Sequence, residues 1–302
     1  MKEYRHLNIG ILYGGWAAER EISLKSGNSV YDALIKEGFK CKLIDLSSKN
    51  MAFSKNTYEG LDLVFILIHG RGGEDGSLQN YLESISLPFT GSNSDSSKLA
   101  MDKVLTKMVW NKENILNPIF LIYEDNLDDI LKMKGQVVVK PANEGSSFGI
   151  SIIDSNEADL KKAIKLALKY DKKVLIEKYI KGKELTVTIL NDQVFDPIEV
   201  IPNSEYYDFK AKYLSKETIY QKAFLDEKRL SYLKKEALHS FNSIGCSGWG
   251  RVDLIDDGND FYFLEVNTVP GMTETSLVPK AAAFSGLSFI NLLEKILFKS
   301  IA

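Results

Sequence analysis

Between Leu7 and His69, short apolar runs alternate with a longer amphipathic stretch, and that order admits few folds. Leu7–Tyr13 reads as a buried strand ending in Gly14-Gly15. Ser23–Glu37 predicts a helix, with Gly38 placed to cap its C-terminus. Cys41–Leu46 and Leu61–Ile68 read as two further strands, each an apolar run bounded by turn residues. Strand–helix–strand order favours a parallel sheet with crossover helices, whose ligands bind beyond the C-terminal strand ends. Gly14-Gly15 and His69-Gly70 occupy such ends.

Further on, the pattern changes. A helix is expected at Ser97–Asn114, then strands at Pro118–Tyr123 and Val137–Lys140, and a loop leading into a strand at Ile150–Ile153. A Lys-rich helix over Glu157–Lys169 and a strand at Val174–Tyr179 follow. The last segment opens with strands at Glu184–Leu190 and Val194–Ile201, and then a polar stretch, Asn203–Glu217. After it come a helix at Glu227–Ile244 and paired runs at Arg251–Asp256 and Asp260–Asn267. A chain of 302 residues exceeds one typical core. Three domains are expected, at 1–93, 94–178 and 179–302, sharing interfaces because no Pro/Gly/Ser-rich linker separates them.

The net charge of -3 gives no basic footprint for nucleic acid. Cys41 and Cys246 stand far apart, which argues against a disulfide framework or structural zinc and suits a reducing compartment. The apolar runs are too short for a signal-peptide core or a membrane span, so a cytoplasmic chain without membrane attachment is expected.

The strongest chemical signal is the pair Arg251-Val252-Asp253 and Glu265-Val266-Asn267. Residues two apart in a strand share a face. Four charged or hard-donor groups therefore stand where apolar side chains are usual, and Asp, Glu and Asn oxygens suit magnesium. A two-residue turn at Gly258-Asn259 would send Asp253 and Glu265 to opposite faces. An odd loop, three residues at Asp257–Asn259 or five, or an equivalent bulge, is expected instead. A solvent-exposed polar face would give the same pattern.

Glu144-Gly145-Ser146-Ser147-Phe148-Gly149 follows Val137–Pro141. Small residues let backbone N–H groups approach phosphate oxygens, and Lys140 adds a point charge. An ordinary turn would be equally rich in Gly and Ser. The loop lacks the terminal Gly-Lys-Ser/Thr of a Walker loop, and Asp75 spoils a dinucleotide fingerprint at Gly70. His69–Gly76 instead suits orientation of a small zwitterion, although His69 alone reads as structural. Glu19 could hold an ammonium group, or could be helix-start acidity beside a capping Ser23. Glu177 ends a strand where it could accept from an adenine amino group. The lysines Lys161, Lys162, Lys165 and Lys169 read as a solvated helix face.

Taken in order, these motifs resemble the D-alanine–D-alanine ligases of the ATP-grasp superfamily. The match runs from Gly14-Gly15 and Ala18–Glu21 through His69–Gly76, Met101-Asp102-Lys103, Lys140-Pro141, Glu144–Ser147 and Glu177-Lys178. It continues through Ala211–Leu214, Gly248–Asp253, Glu265–Asn267, Pro270–Met272 and Ser276–Pro279. The chain departs at Ala17, where many members have Ser, and at Asn143. The resemblance implies an N-terminal Rossmann-like parallel-sheet domain followed by two α+β domains clasping ATP. It implies ATP held by Lys103, Lys140, Glu177, Lys178, Ile180, Glu184 and Lys212. Asp253, Glu265 and Asn267 would hold two magnesium ions, with manganese as a substitute.

The implied reaction activates one D-alanine as an acyl phosphate, which the amine of a second D-alanine then attacks. Glu19, Ser146, Tyr213, Arg251 and Gly271 would serve catalysis, and His69, Ser276 and Leu277 would line the substrate sites. Tyr213 would favour a D-alanine acceptor over D-lactate. Peptidoglycan precursor synthesis, a homodimer and no nucleic-acid or membrane partner are further implications. The rivals are an ATP-grasp ligase for another amine, a regulator that has lost catalysis, and a scaffold. Glu19, Tyr213 and Ser276 argue against the first, and intact Arg251, Asp253, Glu265 and Asn267 against the second. The cost of so many strand charges disfavours the third.

Overall fold

The structure, a computed structural model, describes residues 4–202 and 218–300. At its N-terminal end, β1 (Asn8–Tyr13) pairs in parallel with β2 (Lys40–Asp45) on one side and β3 (Leu63–Ile66) on the other. The crossover helix is Arg20–Lys36, which starts earlier than expected. Glu19 flanks its first turn, and Ser23 lies inside the helix instead of capping it. The Ser23 hydroxyl donates to Leu67 O at 2.7 Å and accepts from Gly14 N–H at 2.8 Å, joining two strand ends. Gly38 ends the helix at φ 81°, with Gly38 N–H on Ile35 O and Phe39 N–H on Leu34 O. Only a residue free of a Cβ takes that conformation without strain.

A second sheet is antiparallel, with β4 (Phe120–Ile122), β5 (Gln136–Pro141), β6 (Ser151–Asp154) and β7 (Val174–Lys178) in the order β4-β7-β5-β6. The helix Glu157–Ala167 covers it, burying Leu160 and Ile164 against Val137, Val139 and Ile176. Its outward lysines are solvated, Lys161 pairing with Glu157 one turn away.

The third sheet contains β8 (Lys183–Leu190), β9 (Gln193–Val194), β10 (Ile198–Ile201), β11 (Ile219–Lys222), β12 (Trp249–Asp256) and β13 (Phe261–Asn267). Its order is β11-β10-β8-β12-β13, with β9 pairing to β8. The single strand expected at Val194–Ile201 is broken at Phe195-Asp196-Pro197, since Pro197 has no N–H for a ladder. The single helix expected at Ser97–Asn114 is two, Ser94–Met101 and Lys103–Lys112. Asp102 leaves helical geometry between them, and its carboxylate accepts the N–H groups of Val104 and Leu105. Trp110 packs into the core of the third sheet with Phe241 and Phe263.

The closing helices, Leu277–Phe284 and Phe289–Lys299, return to the first sheet. Leu292, Leu293 and Ile296 share one core with Ile9, Val30 and Leu34. Among the described residues no single helix is long and apolar enough to cross a membrane.

The β12–β13 hairpin sets the position of the charged groups. Asp256 pairs with Phe261, so its turn holds an even number of residues, and neither odd loop expected from sequence is present. That register alone would oppose Asp253 to Leu264. A β-bulge between Asp253 and Leu254 leaves Leu264 without a partner and restores the pairing Asp253 to Glu265 and Arg251 to Asn267. The bulge is the device that puts all four polar side chains on one face.

Candidate active site

Asp253 is the centre of that face. Arg251 reaches along its own strand to grip it, Nε 2.8 Å from Oδ1 and Nη2 2.8 Å from Oδ2. Thr186, directly opposite on β8, donates to Oδ1 at 2.7 Å, and Asn267 Nδ2 donates to Oδ2 at 3.0 Å. The Glu265 carboxylate meets Lys103 Nζ at 3.2 Å, and the same ammonium donates to Glu144 O at 2.7 Å. Lys103 therefore links the hairpin carboxylates to the glycine–serine loop. Asp253, Glu265 and Asn267 form a hard-oxygen set of the kind magnesium takes, with few carboxylates and room for phosphate oxygens. The residues fit that ion.

Between the second and third sheets lies a cleft of about 760 Å³. Val138, Ile150 and Ile152 give it an apolar wall, and Ile180, Glu184 and Asp253 also line it. Glu177 lies at its base, only 2% exposed. Lys140 and Glu177 project from the same face of neighbouring strands, and Lys140 Nζ lies 2.7 Å from Glu177 Oε2. Burial pushes the Glu177 carboxyl up, but Lys107 and Lys140 together carry it below the usual carboxylate range. The Lys178 ammonium donates to Lys134 O at the cleft edge. Sequence reasoning passed over Glu199, a buried carboxylate of the cleft beside Lys183, because one Glu in an apolar strand carries no pattern.

A second cavity, of about 550 Å³, is lined by Glu19, His69, Arg251, Gly271, Ser276 and Leu277. Glu19 is 4% exposed and, among the described residues, has no side-chain ion pair. Two glycines crowd its carboxylate. A Cβ on Gly70 would lie 2.7 Å from Oε2, and one on Gly145 3.2 Å from Oε1. His69 Nδ1 donates to Val269 O at 2.7 Å, and its Nε2 lies 3.4 Å from Ser26 Oγ. Burial, assisted by the Arg251 charge, lowers the His69 pKa to about 4, so the ring is neutral. Ser276 precedes the helix Leu277–Phe284, whose N-terminal N–H groups suit a carboxylate. Glu74, also in this cavity, was not singled out from sequence; burial raises its pKa to about 8 although Gly70 N–H donates to it at 2.8 Å.

The loop above both cavities is held from outside. Arg71 pairs with Glu144 at 2.5 Å and donates to Tyr170 O at 2.9 Å. Asn143, one of the two departures, anchors the loop by donating through N and Nδ2 to Asp171 Oδ2, each at 2.8 Å. Ser146 and Ser147 take left-handed conformations at φ 52° and 61°, costly for residues with a Cβ. Lys212 and Tyr213 lie in 203–217, outside the described residues.

One side chain, Glu265, lines both the cleft and the cavity, so the two spaces meet at the hairpin. Comparison with known proteins places this geometry. The family model for the D-ala D-ala ligase C-terminus matches residues 126–298, and that for the D-ala D-ala ligase N-terminus matches residues 46–92. A D-alanine–D-alanine ligase of Actinobacillus succinogenes is 41% identical over 100% of both chains. One from Buchnera aphidicola is 42% identical, over 96% of this chain and 97% of the relative. The crystal structure of D-alanine–D-alanine ligase from Bacillus anthracis superposes with a TM-score of 0.89 at 32% identity, covering 98% of this chain and 97% of that one. The ATP complex of a Bacillus anthracis D-alanine–D-alanine ligase gives 0.88 at 30% identity, with the same coverage. On end-to-end identity, matching architecture and a hairpin that joins two ligand spaces, the chain belongs to the D-alanine–D-alanine ligase family and is a ligase with the ATP-grasp fold.

Proposed function

We propose that this chain joins two D-alanines to D-alanyl-D-alanine at the expense of ATP, for peptidoglycan precursors, and that the sites expected from its sequence carry the reaction. The observation that supports this most directly is Glu265 lining both spaces. A nucleotide whose adenine faces Glu177 and Ile180 would direct its phosphates past Lys140 and Lys103 to the hairpin, beside the amino-acid cavity. Lys178 and Glu184 would complete the nucleotide site. Lys212 and Tyr213 would act from the segment outside the described residues.

In the first step a carboxylate oxygen of one D-alanine bonds to the γ-phosphorus as the bond to the bridging oxygen breaks, releasing ADP. In the second, the neutral amine of another D-alanine bonds to the acyl carbon, the bond to the phosphate oxygen breaks, and the proton lost from nitrogen leaves with the phosphate. Such transfer needs positioning and charge neutralisation more than covalent help. Glu19 would hold the first ammonium, with His69 beside it. Arg251 would balance the developing charge, the Gly271 N–H would face the tetrahedral oxyanion, and Ser276 with the Leu277 N–H would take the second carboxylate. Ser146, with Tyr213, would link to Glu19, and exclusion of water there would protect the acyl phosphate from hydrolysis. Asp253, Glu265 and Asn267 would hold two magnesium ions, or manganese, which when bound neutralise the phosphate oxygens.

The division at 1–93, 94–178 and 179–302, a homodimer and a cytoplasmic site are proposed with it. Phosphate release and dipeptide formation, measured with D-alanine, L-alanine or no amino acid, test the reaction. Stoichiometric D-alanine-dependent product supports it. Release with another amino acid alone would assign a different acceptor, and sedimentation of a monomer would remove the dimer.

A further inference from the structure

Lys107 is completely buried, one helical turn beyond Lys103, and lines neither cavity. Its Nζ stands 2.8 Å from Glu177 Oε1 and 3.4 Å from Phe263 O, with the Trp110 ring centroid at 6.0 Å. Lys140 holds the other oxygen of the same carboxylate from the cleft side. Glu177 is thus clamped between a cation that faces the ligand space and one locked behind it.

That arrangement bears on what Glu177 can recognise. A buried carboxyl with insufficient positive charge beside it drifts towards its neutral form. The neutral acid both donates and accepts hydrogen bonds, whereas the anion only accepts. A purine with a 6-amino group offers a donor, and one with a 6-oxo group offers an acceptor. Only the anion distinguishes them sharply. The Lys107 contact takes Oε1, itself fully buried, and so fixes the carboxylate from behind while Oε2 is held beside Lys140 on the cleft side.

We propose that Lys107 is a positioning residue that holds Glu177 as an oriented anion and thereby sets the preference for 6-amino over 6-oxo purine nucleotides. The proposal rests on the reading of Glu177 as the group facing the adenine amino group. Lys107 does not touch the nucleotide and acts through the carboxylate. Burial lowers the Lys107 pKa to about 8, which leaves its ammonium mostly charged at neutral pH, and the carboxyl it faces lies below its usual range. Lys140, at the ligand face, would have nucleotide contacts of its own to make, which leaves Lys107 as the constant counter-charge.

The test compares kcat/KM for ATP and for inosine triphosphate in the full-length enzyme with saturating magnesium and D-alanine. The variants are Lys107→Met, Glu177→Gln and the two combined. Lys107→Met is expected to narrow the preference for ATP at least tenfold, chiefly through KM. It should add nothing in the Glu177→Gln background, because the two residues act as one unit. Where Lys107→Met does not accumulate as folded protein, Lys107→Gln removes the same charge and should narrow the ratio alike. An unchanged ratio in the lysine variants, with Glu177→Gln narrowing it, would overturn the proposal and leave Glu177 as the base reader. An unchanged ratio in Glu177→Gln itself would overturn the reading of Glu177 and the proposal together. A merely structural lysine would lower the melting temperature without moving the ratio.

Discussion

Arg251 and Asp253 form a two-point fork within a single strand, each guanidinium contact 2.8 Å long. Such pairing holds a planar cation at a fixed angle beside the hairpin oxygens, which an ammonium cannot reproduce. Arg251→Lys is therefore expected to lower kcat by roughly 10²–10³-fold, the range seen for loss of a transition-state donor. ATP affinity by calorimetry should change only a few-fold. A loss in kcat below about tenfold would show that charge alone, without the fork, is sufficient.

Removal of divalent cation by chelation is expected to stop phosphate release, and titration with magnesium to restore it. Asp253→Asn and Glu265→Gln should each raise the half-saturating magnesium concentration by about tenfold or more, since each takes a full charge from the oxygen set. Magnesium saturation identical to that of the unsubstituted chain would exclude these side chains as ligands.

His69 gives a pH dependence of defined sign. Its pKa is about 4 in the folded chain, against an ordinary 6.5, so between these values the unfolded chain binds more protons. Stability attributable to His69 is therefore full above pH 6.5 and falls as the pH drops towards 4, by up to about 3 kcal/mol. In His69→Gln, melting temperatures across that range should fall less steeply. Equal slopes in the two proteins would contradict the neutral buried ring.

Gly73 and Gly258 separate packing from backbone strain. A Cβ on Gly73 would sit 1.9 Å from Ile68 O, a clash with main chain that cannot swing away. Gly73→Ala should destabilise by about 3 kcal/mol, the upper part of the overpacking range. Around Gly258 nothing lies within 4 Å, but φ is 97°, so Gly258→Ala should cost only about 1 kcal/mol. Chemical denaturation of both variants checks the order, and a reversed order would contradict it.

The fold's main elements were legible because each has a local cause. Ile9–Tyr13 is an unbroken apolar run, and Gly38 can take the left-handed turn that ends the helix. Asp102 shows what a periodic pattern hides, because a single side chain that caps the next helix splits an otherwise continuous run. Pro197 does the same to a strand. In the site, Arg251, Asp253, Glu265 and Asn267 stood out as charged or polar residues at alternate positions. Lys107 and Glu74 did not, since their importance lies in burial beside groups distant in sequence. Of the two readings open for Glu19 and Ser23, the cap fails because the partners of Ser23, Gly14 and Leu67, come from two different strand ends, which no local pattern shows.

The unpaired Leu264 has a consequence for how such a chain can vary. The pairing of Asp253 with Glu265 is settled on the site side of the bulge, and Thr186 on β8 holds Asp253 from its other flank. The turn at 257–260 lies on the far side, so changes of length there need not propagate to the reacting end. Descendants of this sequence can gain or lose residues at that tip and keep their chemistry, whereas a one-residue deletion on the site side, at Val266, would turn Asn267 to the face opposite Arg251 and Asp253. The bulge works as an insulating joint, separating a part of the hairpin that evolution can edit from a part that it cannot.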